Sequence, residues 1–286
     1  MPIFDKPLNK PFYCVVGSPI SHSLSPLIHE SFGKAEGISL SYQRAEVSPG
    51  ELSDALREFE AVGGRGLNLT VPLKEEVMAL ATDLAPRAEL AGAGNTLTVK
   101  SPGHYRVDNT DGIGLVNDLT DNQAISLRDK RILVLGAGGA VRGVLFPLIE
   151  CAPEIICIAN RTVSKAQSLV EHFSSKALVK GVALSASGFD GLDGNRFDVI
   201  INGTSLGLQG KVPSIPAALF NELECCYDMM YHKSGNTAFT QHGAAAGARH
   251  VCDGLGMLVE QAAEAFSIWH GVRPNTESVI RKIRAM

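Results

Sequence analysis

The sequence predicts an α/β chain of two domains, one of them built on a doubly wound parallel sheet. Three observations predict it. The chain has 286 residues, about two domains at the usual ~150 residues each. Continuous apolar runs bounded by glycine, such as Ile132-Leu133-Val134-Leu135 ahead of Gly136, read as strands buried on both faces. Segments with apolar residues at helical spacing alternate with those runs, the pattern of parallel strands joined by crossover helices.

Composition narrows the class. Hydrophobic residues make up 45% and charged residues 20%, enough for packed cores and too few charges for a disordered chain. Twenty-six Lys and Arg stand against 30 Asp and Glu, a net charge of −4, so no nucleic-acid partner is expected. No apolar run approaches the ~20 residues of a membrane helix, and the N-terminus MPIFDKPLNKPFYCVVG lacks a signal-peptide core. The six cysteines (14, 151, 157, 225, 226 and 252) form no C-x-x-C pair, and the eight histidines are dispersed. No metal site and no disulfide framework is expected, only reduced thiols in a cytoplasmic protein.

The elements follow in order. Residues 13–17 read as a strand, and Ser25 as the N-cap of a helix with Pro26 at its first position. Residues 66–71 form a strand whose alternation puts Leu67, Leu69 and Val71 on one face and Asn68 with Thr70 on the other. Pro72 then starts a helix that carries Lys74 in its first turn. Further on, residues 130–135, 155–159, 197–202 and 225–229 read as buried strands. Helices are expected at 141–151 (kinked at Pro147), 164–173, 237–246, 255–270 and 276–284. Domain junctions near 110 and 248 make 1–110 with 248–286 one α/β domain, completed by the C-terminal helices, and 111–247 the other.

In the second of these, Gly136-Ala137-Gly138-Gly139-Ala140 joins a strand to a helix. Gly136 allows the tight turn, Gly138 lets a pyrophosphate approach the backbone, and the helix N-terminus faces the phosphates. The third position of this Rossmann-like fingerprint is Val141, where Gly or Ala is usual. The next strand ends in Asn160-Arg161-Thr162, with Lys165 one turn on and no carboxylate to take a ribose 2′-hydroxyl. Arg161 and Lys165 suit a 2′-phosphate, so NADP is the expected cofactor.

The other domain carries polar clusters at element ends: Ser21-His22-Ser23-Leu24-Ser25, Asn68 with Thr70, Gly94-Asn95-Thr96, and Asp108-Asn109-Thr110-Asp111-Gly112. Asp108 beside Asn109 reads as a turn residue. Short polar side chains converging on a helix N-terminus suit a small polyhydroxylated carboxylate.

Nine motifs stand in order from residue 17 to 262. They are Gly17-x-Pro19-Ile20-Ser21-His22-Ser23-x-Ser25-Pro26, Asn68-x-Thr70-Val71-Pro72-x-Lys74, Ala91-Gly92-Ala93-x-Asn95-Thr96-Leu97, Asn109-Thr110-Asp111-Gly112 and the glycine turn at 136–140. Asn160-Arg161-Thr162, Asn202-x-Thr204-Ser205, Tyr227-Asp228-Met229-x-Tyr231 and Asp253-Gly254-x-Gly256-Met257-Leu258-Val259-x-Gln261-Ala262 complete the set. Together the sequence resembles the shikimate dehydrogenase family. The resemblance implies NADPH-dependent, reversible reduction of 3-dehydroshikimate to shikimate, a step toward chorismate and the aromatic amino acids. It implies that Ser23 and Ser25, with Tyr231 nearby, hold the substrate carboxylate. Asn68, Thr70, Asn95, Asp111 and Gln261 would hold ring hydroxyls, with Lys74 and Asp111 the catalytic pair. It assigns Gly136, Ala137, Gly138, Gly139 and Ala140 to the pyrophosphate and Asn160, Arg161, Thr162 and Lys165 to the ribose phosphate. Thr204, Met229 and Gly254 would line the nicotinamide end. Gly94, Val107 and Lys165 depart from the family's usual residues, and none of the departures falls on the catalytic pair.

On this reading Lys74 is general acid and electrostatic clamp, with Asp111 its orienter. Domain closure is expected around Gly112 and Gly247, with a monomer or homodimer as the working state. A sister enzyme using NAD on quinate would want an acid at position 160. A non-catalytic sensor of the same ligand would not need both Lys74 and Asp111.

Overall fold

A computed structural model of the chain describes residues 3–5, 10–232 and 234–286. They form two compact units. One holds residues through Asp111 together with Val259–Val279, the other Gly112–Leu258 and Ile280–Met286.

The first unit opens with β1 (Phe12–Gly17), every residue of which is buried. Helix α1 (Ser25–Ala35) returns the chain to β2 (Ser41–Glu46), and α2 (Leu52–Ala61) to β3 (Gly64–Leu69). β1 lies between these two strands and is parallel to both. A short β4 (Asp83–Leu84) and α3 (Pro86–Ala91) precede the antiparallel pair β5 (Thr96–Ser101) and β6 (His104–Asp108), giving the order β2-β1-β3-β5-β6-β4. Burial of aromatic rings anchors one face: Phe4, Phe12 and Phe59 meet with centroids 5.1–6.2 Å apart. A side chain at Gly64 would collide with the Phe59 ring, so the strand passes there only as glycine.

Three local expectations are corrected here. Ser25 does not cap α1. It is the first helical residue, Leu24 holds the cap position, and no side chain caps the end. Pro72 does not start an α-helix: turns follow β3, and only a 3-10 helix at Glu76–Leu80 forms, so Lys74 sits in a turn. Pairing of β3 ends at Leu69, and beyond it Val71 is 62% exposed rather than sharing the buried face of Leu67 and Leu69.

The second unit begins in α4 (Asp111–Asn117), which leads into a π-turn at Asp118–Asn122. Strand–helix alternation then runs through β7 (Arg131–Leu135), α5 (Gly139–Glu150), β8 (Ile155–Ala159), α6 (Val163–Lys180) and β9 (Ala183–Ser187). β10 (Val199–Asn202), β11 (Cys225–Asp228), α7 (Ala238–Ala245) and β12 (His250–Asp253) complete it. Every pairing is parallel, in the order β12-β11-β10-β7-β8-β9. The order reverses between β7 and β10, the switch point beside which doubly wound sheets bind ligands. Ile132, Val134, Ile156 and Ile158 pack into one core, and Leu133, Leu135, Cys157 and Ile200 into the core of the opposite face. These strands are continuous apolar runs because both faces are covered.

The chain closes with α8 (Leu255–His270) and α9 (Glu277–Arg284). The junction expected near 248 is corrected. β12 pairs with β11, which keeps the chain in the second unit through Leu258. The last residues return there as well: Arg284 binds the buried carboxylate of Asp253 and donates to the His232 carbonyl at 3.0 Å. No helix among the described residues is long and apolar enough to cross a membrane. Among them there is also no His, Cys, Asp and Glu cluster able to hold a metal ion. All six cysteines are free thiols.

Candidate active site

The carboxyl ends of β1 and β3 in the first unit bring most of the expected polar residues together. Lys74 Nζ stands 2.5 Å from Asp111 Oδ2, with the two side chains 15% and 7% exposed. Asp111 is the first residue of α4, where a carboxylate gains from the unpaired N–H groups and the helix dipole. Its other oxygen, Oδ1, accepts from Asn95 Nδ2 at 2.9 Å. The cation is therefore held at one oxygen and a neutral donor at the other.

Asn95 is the hub of this region. Its carboxamide nitrogen also reaches Thr110 Oγ1 at 2.9 Å and Gln261 Oε1 at 3.2 Å. Its oxygen accepts from the Thr110 amide and the Thr96 hydroxyl, both at 2.9 Å. At 2% exposure it acts first on its protein neighbours, holding Asp111. Asn68, 5% exposed on β3, donates to the Asn95 carbonyl at 3.1 Å and to Thr96 Oγ1 at 3.2 Å. Its oxygen accepts from the Tyr42 hydroxyl at 2.6 Å. Thr70 lies just past β3, its amide bonded to Val16 O at 3.0 Å. Ser23 donates to Ser25 Oγ at 3.2 Å, so the two serines lie side by side at the start of α1. Tyr231 belongs to the second unit, half-buried after β11.

Asp108 is corrected from a turn residue to an ion-pair anchor. Arg87 grips both its oxygens at 3.0 and 2.9 Å and extends to Glu264 at 2.8 Å. Arg273 binds Glu264 at 3.0 Å and Glu260 at 2.6 Å. This chain of charges ties β6 and α3 to α8, the helix that carries Gln261. Tyr42, Thr96 and Thr110 were not singled out from the sequence. Tyr42 lies in the polar run Ser41-Tyr42-Gln43-Arg44, with no glycine to punctuate it.

In the second unit the turn from β7 to α5 carries residues 136–140. Gly136 has φ +109° and its missing Cβ faces the Gly203 carbonyl at 3.1 Å; only glycine fits that conformation there. Space above Gly138 is open, with nothing within 4 Å of a Cβ placed on it. Gly138 is the N-cap of α5, and no side chain occupies that helix end, which leaves its N–H groups for an anion. The Val141 departure is compensated across the turn. Val141 is fully buried, and a Cβ on Gly203 would strike its methyl group. The glycine that admits close packing has moved from the helix to the end of β10.

Asn160 ends the neighbouring strand and donates to Thr162 O at 2.9 Å, shaping the entry to α6. Arg161, Thr162 and Lys165 are exposed. Among the described residues, Arg161 and Lys165 form no ion pair. Two unpaired cations at a helix start are unfavourable for the helix itself and suit a phosphate.

Asn202, Asp228 and Asp253 stand in register at the carboxyl ends of β10, β11 and β12. Asn202 donates to Asp228 Oδ1 at 3.0 Å, and its own oxygen accepts from the Thr204 hydroxyl at 2.8 Å and amide at 3.1 Å. Burial raises the Asp228 carboxyl above the usual carboxylate range, against bonds from Thr237, the Met230 amide and Asn202. Gly254 lies so close to the Met229 carbonyl that a Cβ would collide with it. Thr204, Met229 and Gly254 are thus held by one buried polar row. Asn202 and Asp228 were quoted in motifs from the sequence without a role, because burial beneath the strand ends is invisible there.

Residues 15–97 match the shikimate dehydrogenase substrate binding domain, residues 118–205 the shikimate / quinate 5-dehydrogenase model, and residues 254–284 the shikimate 5′-dehydrogenase C-terminal domain. The chain is 49% identical over 277 residues to shikimate dehydrogenase (NADP(+)) of Cupriavidus pinatubonensis, covering 96% of this chain and 93% of that one. The chain belongs to the shikimate dehydrogenase family. Among solved structures of similar fold, an Ael1 enzyme from Pseudomonas putida aligns with a TM-score of 0.87 at 40% identity, over 96% of this chain and 98% of that one. Shikimate 5-dehydrogenase from Thermus thermophilus, in complex with NADP(H) and shikimate, aligns with a TM-score of 0.83 at 32% identity. That match covers 96% of this chain and 99% of the other. Membership accounts for the nine motifs standing in one order.

Proposed function

We propose that this chain is an NADP-dependent shikimate dehydrogenase that reversibly reduces 3-dehydroshikimate to shikimate on the way to chorismate and the aromatic amino acids. The observation that carries the chemistry is the secluded Lys74–Asp111 pair, 2.5 Å apart, with Asn95 on the carboxylate's second oxygen. NADPH, when bound, supplies the hydride. Lys74 donates a proton to the oxygen of the reduced ketone and stabilises the charge that develops there. Asp111 holds the ammonium in place and takes part in the relay by which the proton is restored.

The remaining assignments belong to the same proposal. Ser23 and Ser25 hold the substrate carboxylate with Tyr231, and Asn68, Thr70, Asn95 and Gln261 face the ring hydroxyls. Residues 136–140 take the pyrophosphate, while Asn160, Arg161, Thr162 and Lys165 take the ribose 2′-phosphate. Thr204, Met229 and Gly254 line the nicotinamide. The open space over Gly138 and the unpaired Arg161 and Lys165 fit that cofactor. Residues through Asp111 with Val259–Val279 form the substrate domain, and the doubly wound unit of Gly112–Leu258 with Ile280–Met286 forms the NADP domain. The enzyme is cytoplasmic, which suits its six free thiols, and it works as a monomer or homodimer. The test follows reduced-nicotinamide absorbance with purified protein and shikimate, offering NADP and NAD in parallel. Turnover with NADP supports the reading. Absence of turnover, with shikimate still bound, overturns it.

A further inference from the structure

Asn68 presents a hydrogen-bond inventory that leaves one opening. Its nitrogen has two hydrogens, and both have partners on the protein, the Asn95 carbonyl and Thr96 Oγ1. Its oxygen has two lone pairs, and one of them takes the Tyr42 hydroxyl proton at 2.6 Å. Flipping the amide would set its oxygen against the Asn95 carbonyl, acceptor against acceptor. The Asn95 carbonyl therefore orients the amide, and the Tyr42 hydroxyl holds its oxygen in place.

Tyr42 is built to hold still. It is 3% exposed on β2, paired in register with Tyr13 of β1. Its ring stacks on His29, with centroids 4.3 Å apart and planes 8° from parallel. His29 is itself 1% exposed, within 5.4 Å of the Trp269 ring. Burial pushes the His29 imidazole down to about 3, so the stack is neutral at working pH. Burial likewise holds the Tyr42 phenol protonated, which keeps its single O–H available to Asn68.

We propose that Tyr42 is a positioning residue that fixes Asn68 as a pure acceptor toward the substrate. The Asn68 side chain also neighbours the His29 ring, but neither His29 nitrogen is within hydrogen-bond geometry of it, which leaves one lone pair of the Asn68 oxygen without a donor. That lone pair takes a hydroxyl proton and rejects a keto or ether oxygen at the same place on the ring. Because Lys74 and Asp111 serve the reacting oxygen, the hydroxyl that Asn68 reads is a non-reacting one. The inference rests on the shikimate dehydrogenase reading above and adds to it which polarity that subsite demands and what enforces it.

Tyr42→Phe removes the hydroxyl and keeps the ring stack. Expected is a rise of about tenfold in KM for shikimate, the scale of one buried hydrogen bond, with kcat within about twofold and KM for NADP unchanged. Trp269 fluorescence reports whether the unit stays folded. Two shikimate analogues, each lacking one non-reacting ring hydroxyl, locate the effect. The Tyr42→Phe penalty should vanish for one and persist for the other. On an Asn68→Ala background the substitution should add no further change in KM. Wild-type turnover with a Tyr42→Phe enzyme of equal KM overturns the inference. So does a penalty that both analogues retain, or a lowered melting temperature with unchanged kinetics. Lack of wild-type turnover on shikimate is instead a failure of the functional reading, and the two failures are distinguishable.

Discussion

Acid should destabilise the first unit through His29, and the effect can be worked from the structure. The imidazole is 1% exposed and neither ring nitrogen has a hydrogen-bond partner. Burial, helped by the nearby His270 and opposed by the Asn68 side chain, lowers its pKa from 6.5 to about 3. The unfolded chain binds this proton near pH 6.5 and the folded chain does not, so the stability is complete above pH 6.5 and is lost as pH falls toward 3. With 2.303RT near 1.4 kcal/mol per pH unit, the loss is ~0.1 kcal/mol at pH 7.5 and ~2 kcal/mol at pH 5. His29→Phe keeps an aromatic ring against Tyr42 and removes the titration. The assay is urea unfolding at both pH values, followed by fluorescence of Trp269, the single tryptophan, whose ring lies 5.4 Å from His29. This probe reads the unit that holds the histidine, which matters for a chain of two units. Between pH 7.5 and 5 the wild type should lose ~2 kcal/mol more than the variant. Parallel losses in the two proteins would refute a neutral buried imidazole.

Three further outcomes follow from the same geometry. Lys74→Met should lower kcat by at least ~10²-fold while KM for shikimate moves only a few-fold; steady-state kinetics that show a KM effect alone would contradict the general-acid role. Arg161→Ala should raise KM for NADP about tenfold or more and leave KM for NAD unchanged, measured side by side. Gly203→Ala should lower the melting temperature, because its methyl meets Val141. Adding Val141→Ala should recover part of the loss, and purely additive losses in thermal scans would show that the two positions do not share the space.

Much of this was legible in the sequence because the signals are local. Apolar runs ending in glycine placed β7 to within a residue and the helix after its turn to within two, and the motif order singled out Lys74, Asp111 and the cations after β8. What could not be read depends on partners distant in the chain. Ser25 looks like a cap by residue type, yet its helix starts one residue earlier. Pro72 looks like a helix start, yet the turn at Lys74 is fixed in part by Gly94, whose amide bonds the Lys74 carbonyl at 2.8 Å. Asp108 looked like a turn residue because Arg87 is 21 residues away and Glu264 is 177 from Arg87. Val141 looked like a defect in the glycine pattern until Gly203 was seen to yield the space. The junction near 248 was misplaced because the pairing of β12 with β11 is itself a long-range choice.

Reduction of NADP by purified protein with shikimate, with NAD and with quinate offered in parallel, tests the central claim most directly. The account predicts strong turnover with NADP and shikimate, little with NAD, and a selective loss of the NADP reaction in Arg161→Ala. Comparable rates with NAD or quinate would contradict it.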